Sequence, residues 1–317
     1  MVQAAIQECA QSTKEIQSFW SSLNLLTISS IMLIISVAWR VIDQFVLGLG
    51  DTWMNIMPSK LFPFLIILGF FLKYRRNEID SVLGLSQNQL RVQLAVGLVI
   101  GLMMSLMIYV GGDLIYGLFI DPTYPLNLYV INTELLGYMF LFFLTNAFLE
   151  ETLFRGLLQN AFKTRVTPNR AILFSAIVFG LWHAGWPFLN GGPVREVATN
   201  VFAIVFFSTI LGFLFGVYYE RFSSGQSLVG LIVIHTLLNF IGECFKIGPD
   251  PIMQGPDIML SNQGLAIVSF VLFFMTFLSL FMIYSRFKIE QAAALWKRFT
   301  EGIRYNVNRT SGTNANN

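Results

Sequence analysis

Apolar runs of bilayer length alternate with short basic or polar segments along most of this chain. Eight of them can cross about 30 Å of hydrocarbon, which takes roughly 20 helical residues each. They are Leu23–Ile42, Trp53–Leu72, Val92–Phe119, Leu128–Leu158, Ala171–Phe188, Ala198–Tyr219, Leu228–Phe245 and Gly264–Tyr284. The second is the least regular, with Pro58, Lys60 and Pro63 in its first half, and the fourth carries charge near its end. Before the first run, Ile6, Cys9, Ala10, Thr13, Ile16 and Phe19 recur at helical spacing; after the last, Ile289, Ala292, Ala293, Trp296, Phe299 and Ile303 do the same. Such stripes suit helices lying in the headgroup plane, although a short solvated helix serves equally well for the first. The pattern divides the chain into an N-terminal interfacial segment (1–22), a transmembrane domain (23–285), and a C-terminal amphipathic segment with a tail (286–317). From Asn306 onward the tail is polar enough to be disordered.

Basic residues orient these spans. With the N-terminus inside, one side holds Lys14, Lys73, Arg75, Arg76, Arg91, Lys163, Arg165, Arg170, Arg221, Arg286, Lys288, Lys297, Arg298, Arg304 and Arg309. The other holds only Arg40, Lys60, Arg195 and Lys246, while Arg155 lies within the fourth run. Both termini are therefore expected in the cytoplasm. Charged residues make up 12% of the chain against roughly a quarter in soluble domains. The solvent for most of the chain is lipid, and the fold class is all-α and polytopic. A net charge of +2 without a basic stripe excludes a nucleic-acid partner. Cys9 and Cys244 fall on opposite sides, so no intrachain disulfide is expected. Met1 to Trp20 lacks the basic start and apolar core of a cleavable signal peptide.

Against this background the intramembrane ionisable residues stand out, because each costs several kcal/mol unless it has a task. They cluster in Glu150-Glu151-Thr152-Leu153-Phe154-Arg155, Phe179-Gly180-Leu181-Trp182-His183 and His235-Thr236-Leu237-Leu238-Asn239, and the two histidines are the chain's only ones. At about 1.5 Å per residue, His183 is roughly 18 Å from Ala171, His235 and Asn239 about 11 and 17 Å from Leu228, and Glu150 about 12 Å from Leu158. Those similar depths predict one shared, hydrated cavity opening toward the cytoplasm. Glu151 and Arg155, four apart, share a helix face, whereas Glu150 is about 140° from Arg155. Arg155 is thus expected to neutralise Glu151 and leave Glu150 free as a general base. His235 and Asn239, also four apart, present two hydrogen-bond donors together.

These groups are what amide hydrolysis requires: a water activated by Glu150 with His183, and an oxyanion stabilised by His235 and Asn239. A zinc ion held by Glu150, His183 and His235 is the metal variant, although the chain lacks a His-Glu-x-x-His helix. In Glu-Glu-x-x-x-Arg (Glu150, Glu151, Arg155), Phe-x-x-x-His (Phe179, His183) and His-x-x-x-Asn (His235, Asn239), the chain resembles the CAAX protease and bacteriocin-processing family over about residues 140–243. That resemblance implies a membrane endopeptidase that trims C-terminal tails of lipidated or membrane-associated proteins. It implies catalytic roles for Glu150 and His183 and oxyanion stabilisation by His235 and Asn239, and leaves metal dependence open. Two other classes remain: a proton-coupled transporter, for which buried Glu and His would form a relay, and an inactive bacteriocin-immunity protein. The expected partners are a peptide or lipidated protein and the bilayer. Gly180, Gly185 and Gly212 are expected to allow close helix approach.

Overall fold

A computed structural model describes residues 15–48, 57–249 and 262–313, apart from 16, 132, 186 and 189–191, with the backbone alone over 302–313. Expectations for residues 1–14 (Cys9 among them) and Ile16, for Trp53–Ile56, for the Ile303 side chain and for 314–317 lie outside the described residues.

Helix α1, Leu25–Val46, starts where the Asn24 side chain accepts the Thr27 N–H at 2.9 Å, a cap for one of the four unpaired N–H groups. Helix α2, Pro58–Tyr74, opens on a proline, which gives up no helical hydrogen bond in the first turn. Helix α3, Leu90–Ile120, leads to strand β1, Asn127–Val130. Helix α4 runs through Leu136–Glu151, a wide π-helical stretch Thr152–Leu158, and Gln159–Lys163. Helices α5, Pro168–Trp182, and α6, Val194–Phe222, pack against each other. Helix α7, Val229–Cys244, precedes strand β2, Phe245–Gly248. Helix α8, Gln263–Arg286, is capped by Asn262, which accepts from the N–H groups of Gly264 and Leu265. Helix α9, Ile289–Thr313, ends the described chain.

The chain is a helical, multi-pass membrane protein. Four helices (α1, α3, α6 and α8) are long and apolar enough to cross a bilayer, and α5 and α7 are shorter apolar helices. The long helices turn large apolar side chains outward: Ile34, Val99 and Ile267 are each about two-thirds exposed, a surface that only lipid solvates well. Helix α7 is central, packed on α3 and α4, and its buried face includes Leu231, Ile234, His235 and Leu238.

Several boundaries differ from the sequence reading. Leu128–Val130 forms β1 instead of opening the fourth span; it pairs antiparallel with β2, Asn127 opposite Gly248 and Val130 opposite Phe245. Two prolines just upstream, Pro122 and Pro125, and the β-prone Leu-Tyr-Val favour an extended chain there. The same pairing ends α7 at Cys244. Helix α5 stops at Trp182, so His183 stands at its C-terminus and not inside a span. The helix of α9 passes Asn306, where disorder was expected, through a stretch with no proline to stop it. At its start Ile289 is buried while Leu295, Trp296 and Phe299 face outward, the arrangement of a helix resting on an interface.

Candidate active site

Consecutive glutamates close the regular part of α4, and each has its own partners. Glu151 is fully buried and accepts at one oxygen, Oε1, from Arg155 Nη1 at 3.2 Å and from His235 Nδ1 at 2.6 Å. The expected pairing with Arg155 is present, and His235 joins it. Arg155 is held on its other faces by aromatic rings, its guanidinium 4.0 Å from the Phe179 centroid and 5.3 Å from that of Phe215. Phe179 thus has a packing part, with the His183 ring edge-on at 4.7 Å.

Glu150 is not free, as the helical-angle count had it. Its Oε1 accepts from Lys60 Nζ at 3.2 Å and from Trp182 Nε1 at 2.9 Å. Angles along one helix predict only partners on that helix, and these two arrive from α2 and α5. The other oxygen, Oε2, makes no hydrogen bond to a described residue. Facing it are His183 Nε2 at 3.9 Å and His235 Nε2 at 3.8 Å. Both separations are too long for a direct bond and suit one bridging water.

The second nitrogen of each ring fixes its role. His183 Nδ1 lies 2.9 Å from the Phe179 carbonyl oxygen, and His235 Nδ1 lies against the Glu151 carboxylate. Oxygens of both kinds only accept, so each Nδ1 carries a hydrogen. Each Nε2 then faces Glu150, with a lone pair while the ring is neutral and with an N–H once it is protonated. His183 is the most open of these three, its side chain 24% exposed, against 5% for His235 and 2% for Glu150. It stands at the far end of α5 from Arg165 and Arg170. Asn239, one turn after His235, is half-buried and has no hydrogen-bond partner among the described residues.

Lys60 and Trp182 were missed as site residues. Lys60 had been counted with the loops, although a lysine inside a predicted span is itself a signal. Trp182 sits beside His183 in the motif already singled out, and Arg40 supports it with a 3.2 Å bond to its carbonyl and a guanidinium 4.8 Å from its ring centroid.

Zinc does not fit the expected triad as arranged. Donors bound tetrahedrally at about 2.1 Å stand roughly 3.4 Å apart, closer than the 3.8 and 3.9 Å found from Glu150 to the two rings. No three His, Cys, Asp or Glu side chains among the described residues come close enough to share a metal. The Lys60 ammonium also competes with a dication for Glu150.

Residues 132–241 match the Rce1-like family, type II CAAX prenyl endopeptidases. The Rce1-like segment is about a third of the chain and contains Glu150, Glu151, Arg155, His183, His235 and Asn239, but not Lys60 or Arg40. No curated protein matches the chain. The family and the apolar helices together indicate a membrane-embedded protease, whose substrate is a peptide or protein.

Within the Rce1-like segment α6 comes close to α4 and α5. A Cβ at Gly212 would lie 2.9 Å from Phe179 Cδ1 and 3.1 Å from Arg155 Nη2, and one at Gly180 would run into Thr209, whereas Gly185 has open space around it. The close-approach expectation therefore holds for two of the three glycines. Gly212→Ala is expected to cost about 1–3 kcal/mol by overpacking and to lower cleavage as Arg155 is displaced. Thermal unfolding in detergent, run beside an activity assay, would show it; unchanged values in both would mean that Phe179 and Arg155 give way freely.

Proposed function

We propose that the chain is an endopeptidase of the CAAX-processing type, cutting near the C-terminus of membrane-associated or lipidated proteins by a water activated at Glu150. The observation that carries this reading is the meeting of one unbonded carboxylate oxygen with two imidazole nitrogens at water-bridging distance, inside a segment that matches a protease family.

A water between Glu150 Oε2 and His183 Nε2 gives its proton to Glu150 as its oxygen bonds to the substrate carbonyl carbon. The carbonyl π pair moves onto oxygen. A protonated His235, balanced by Glu151 at Nδ1, donates from Nε2 to that oxyanion, and the unpartnered Asn239 amide supplies a second donor. Collapse breaks the C–N bond, and Glu150 returns its proton to the leaving amine. No step needs a metal.

An apolar groove of about 950 Å³ supports a lipidated substrate. Leu181, Phe188, Val201, Phe202, Val205 and Phe206 line it, between α5 and α6, almost entirely with apolar surface. An acyl or prenyl chain would bury its apolar surface there.

The test is purified protein with matched C-terminal peptides, prenylated and unmodified, with and without a chelator. Prenylated peptides are expected to be cut at least tenfold more efficiently, with no loss on chelation. Equal cleavage of both would remove the lipid from the reading, inactivation by chelation would restore the metal variant, and substrate-driven proton flux without proteolysis would replace the enzyme by a transporter.

A further inference from the structure

The central carboxylate is clamped by a residue from outside the Rce1-like segment. Lys60 lies in the first turn of α2, is 8% exposed, and reaches Glu150 Oε1 at 3.2 Å. A buried ammonium needs both a counter-charge and a reason to be there. Glu150 supplies the first. The second follows from which oxygen is bound: Lys60 and Trp182 both donate to Oε1, and neither touches Oε2. Two donors on one oxygen fix the carboxylate plane and leave the other oxygen turned toward His183 and His235 Nε2.

Lys60 is held in its turn. Its Nζ lies 5.5 Å from the Trp182 ring centroid, and Arg40 packs on the same indole. The adjacent Ser59 hydrogen-bonds the buried Asp43, which ties the start of α2 to the end of α1.

We propose that Lys60 is a positioning residue for Glu150, which clamps Oε1 with Trp182 so that Oε2 meets the attacking water. The proposal rests on Glu150 being the base. It makes α2 part of the active site, and the family segment alone incomplete.

The experiment uses the full chain. Lys60→Met, Lys60→Arg and Trp182→Phe are assayed for kcat and KM on a cleaved tail peptide. Lys60→Met is also melted in detergent in the wild-type and Glu150→Gln backgrounds. Lys60→Met is expected to lower kcat at least 100-fold with KM within threefold, and Lys60→Arg to stay within tenfold of the wild type. Trp182→Phe, which keeps the ring and loses the N–H, falls between them. The melting temperature lost on Lys60→Met shrinks in the Glu150→Gln background, where no carboxylate charge is stranded. Wild-type kcat in Lys60→Met, or equal melting losses in the two backgrounds, would overturn the clamp alone. A wild-type chain that cuts no peptide overturns the assignment of Glu150 and the clamp with it.

Discussion

Glu150→Gln is expected to slow peptide cleavage by 10³-fold or more while the chain still folds. Glutamine keeps the size of the side chain, and its carbonyl oxygen can still accept from Lys60 and Trp182, the two donors on Oε1. What it loses is the basic oxygen facing His183 and His235. General-base catalysis contributes about 10²–10⁴-fold, and here the same group also returns the proton to the amine, so its loss counts in both halves of the reaction. The substitution strands the Lys60 charge, so some stability goes too, and activity must be normalised to folded protein. Measuring kcat at saturating peptide separates the two effects. A variant that cuts at the wild-type rate would leave the site without its base.

How far this arrangement was legible in the sequence depends on whether partners share a helix. The Glu151–Arg155 pair was readable because i,i+4 spacing alone brings the two together, even across the start of the π-helical stretch. His183 and His235 were readable as members of one site because few other ionisable groups occur in apolar runs. The pairings between helices were not. Nothing in the spacing of α4 says that Glu151 shares its Oε1 with His235, or that Glu150 is met by Lys60 from a helix 90 residues earlier. Helix limits were blurred for a related reason. Hydropathy continues from α7 into Phe245, and runs from Leu128 into α4, because strand and helix bury the same residue types; only pairing of the two segments separates them. The end of α5 was hidden in the same way, since apolar residues continue past the helix terminus at Trp182.

Arg155→Met is expected to be the most damaging single change to stability. Arg155 and Glu151 are 1% and 0% exposed, and their 3.2 Å contact lies where water cannot replace either partner. Removing one member of a buried pair costs about 3–5 kcal/mol, because the remaining charge is left without compensation. His235 still donates to Glu151 in this variant, which holds the loss toward the lower end while drawing the ring from its place over Glu150. The substituted methionine fills part of the space between Phe179 and Phe215, so the effect measures charge more than cavity. Equilibrium unfolding in detergent gives the number, and the double variant Glu151→Gln with Arg155→Met is expected to recover part of it. The exposed pair Lys297–Glu301 serves as control: its side chains are 77% and 63% exposed, so breaking it should leave the transition where it was. A loss below about 1 kcal/mol in Arg155→Met, within the range of surface pairs, would mean that water reaches Glu151 and that the charge balance beneath the site is looser than its geometry implies.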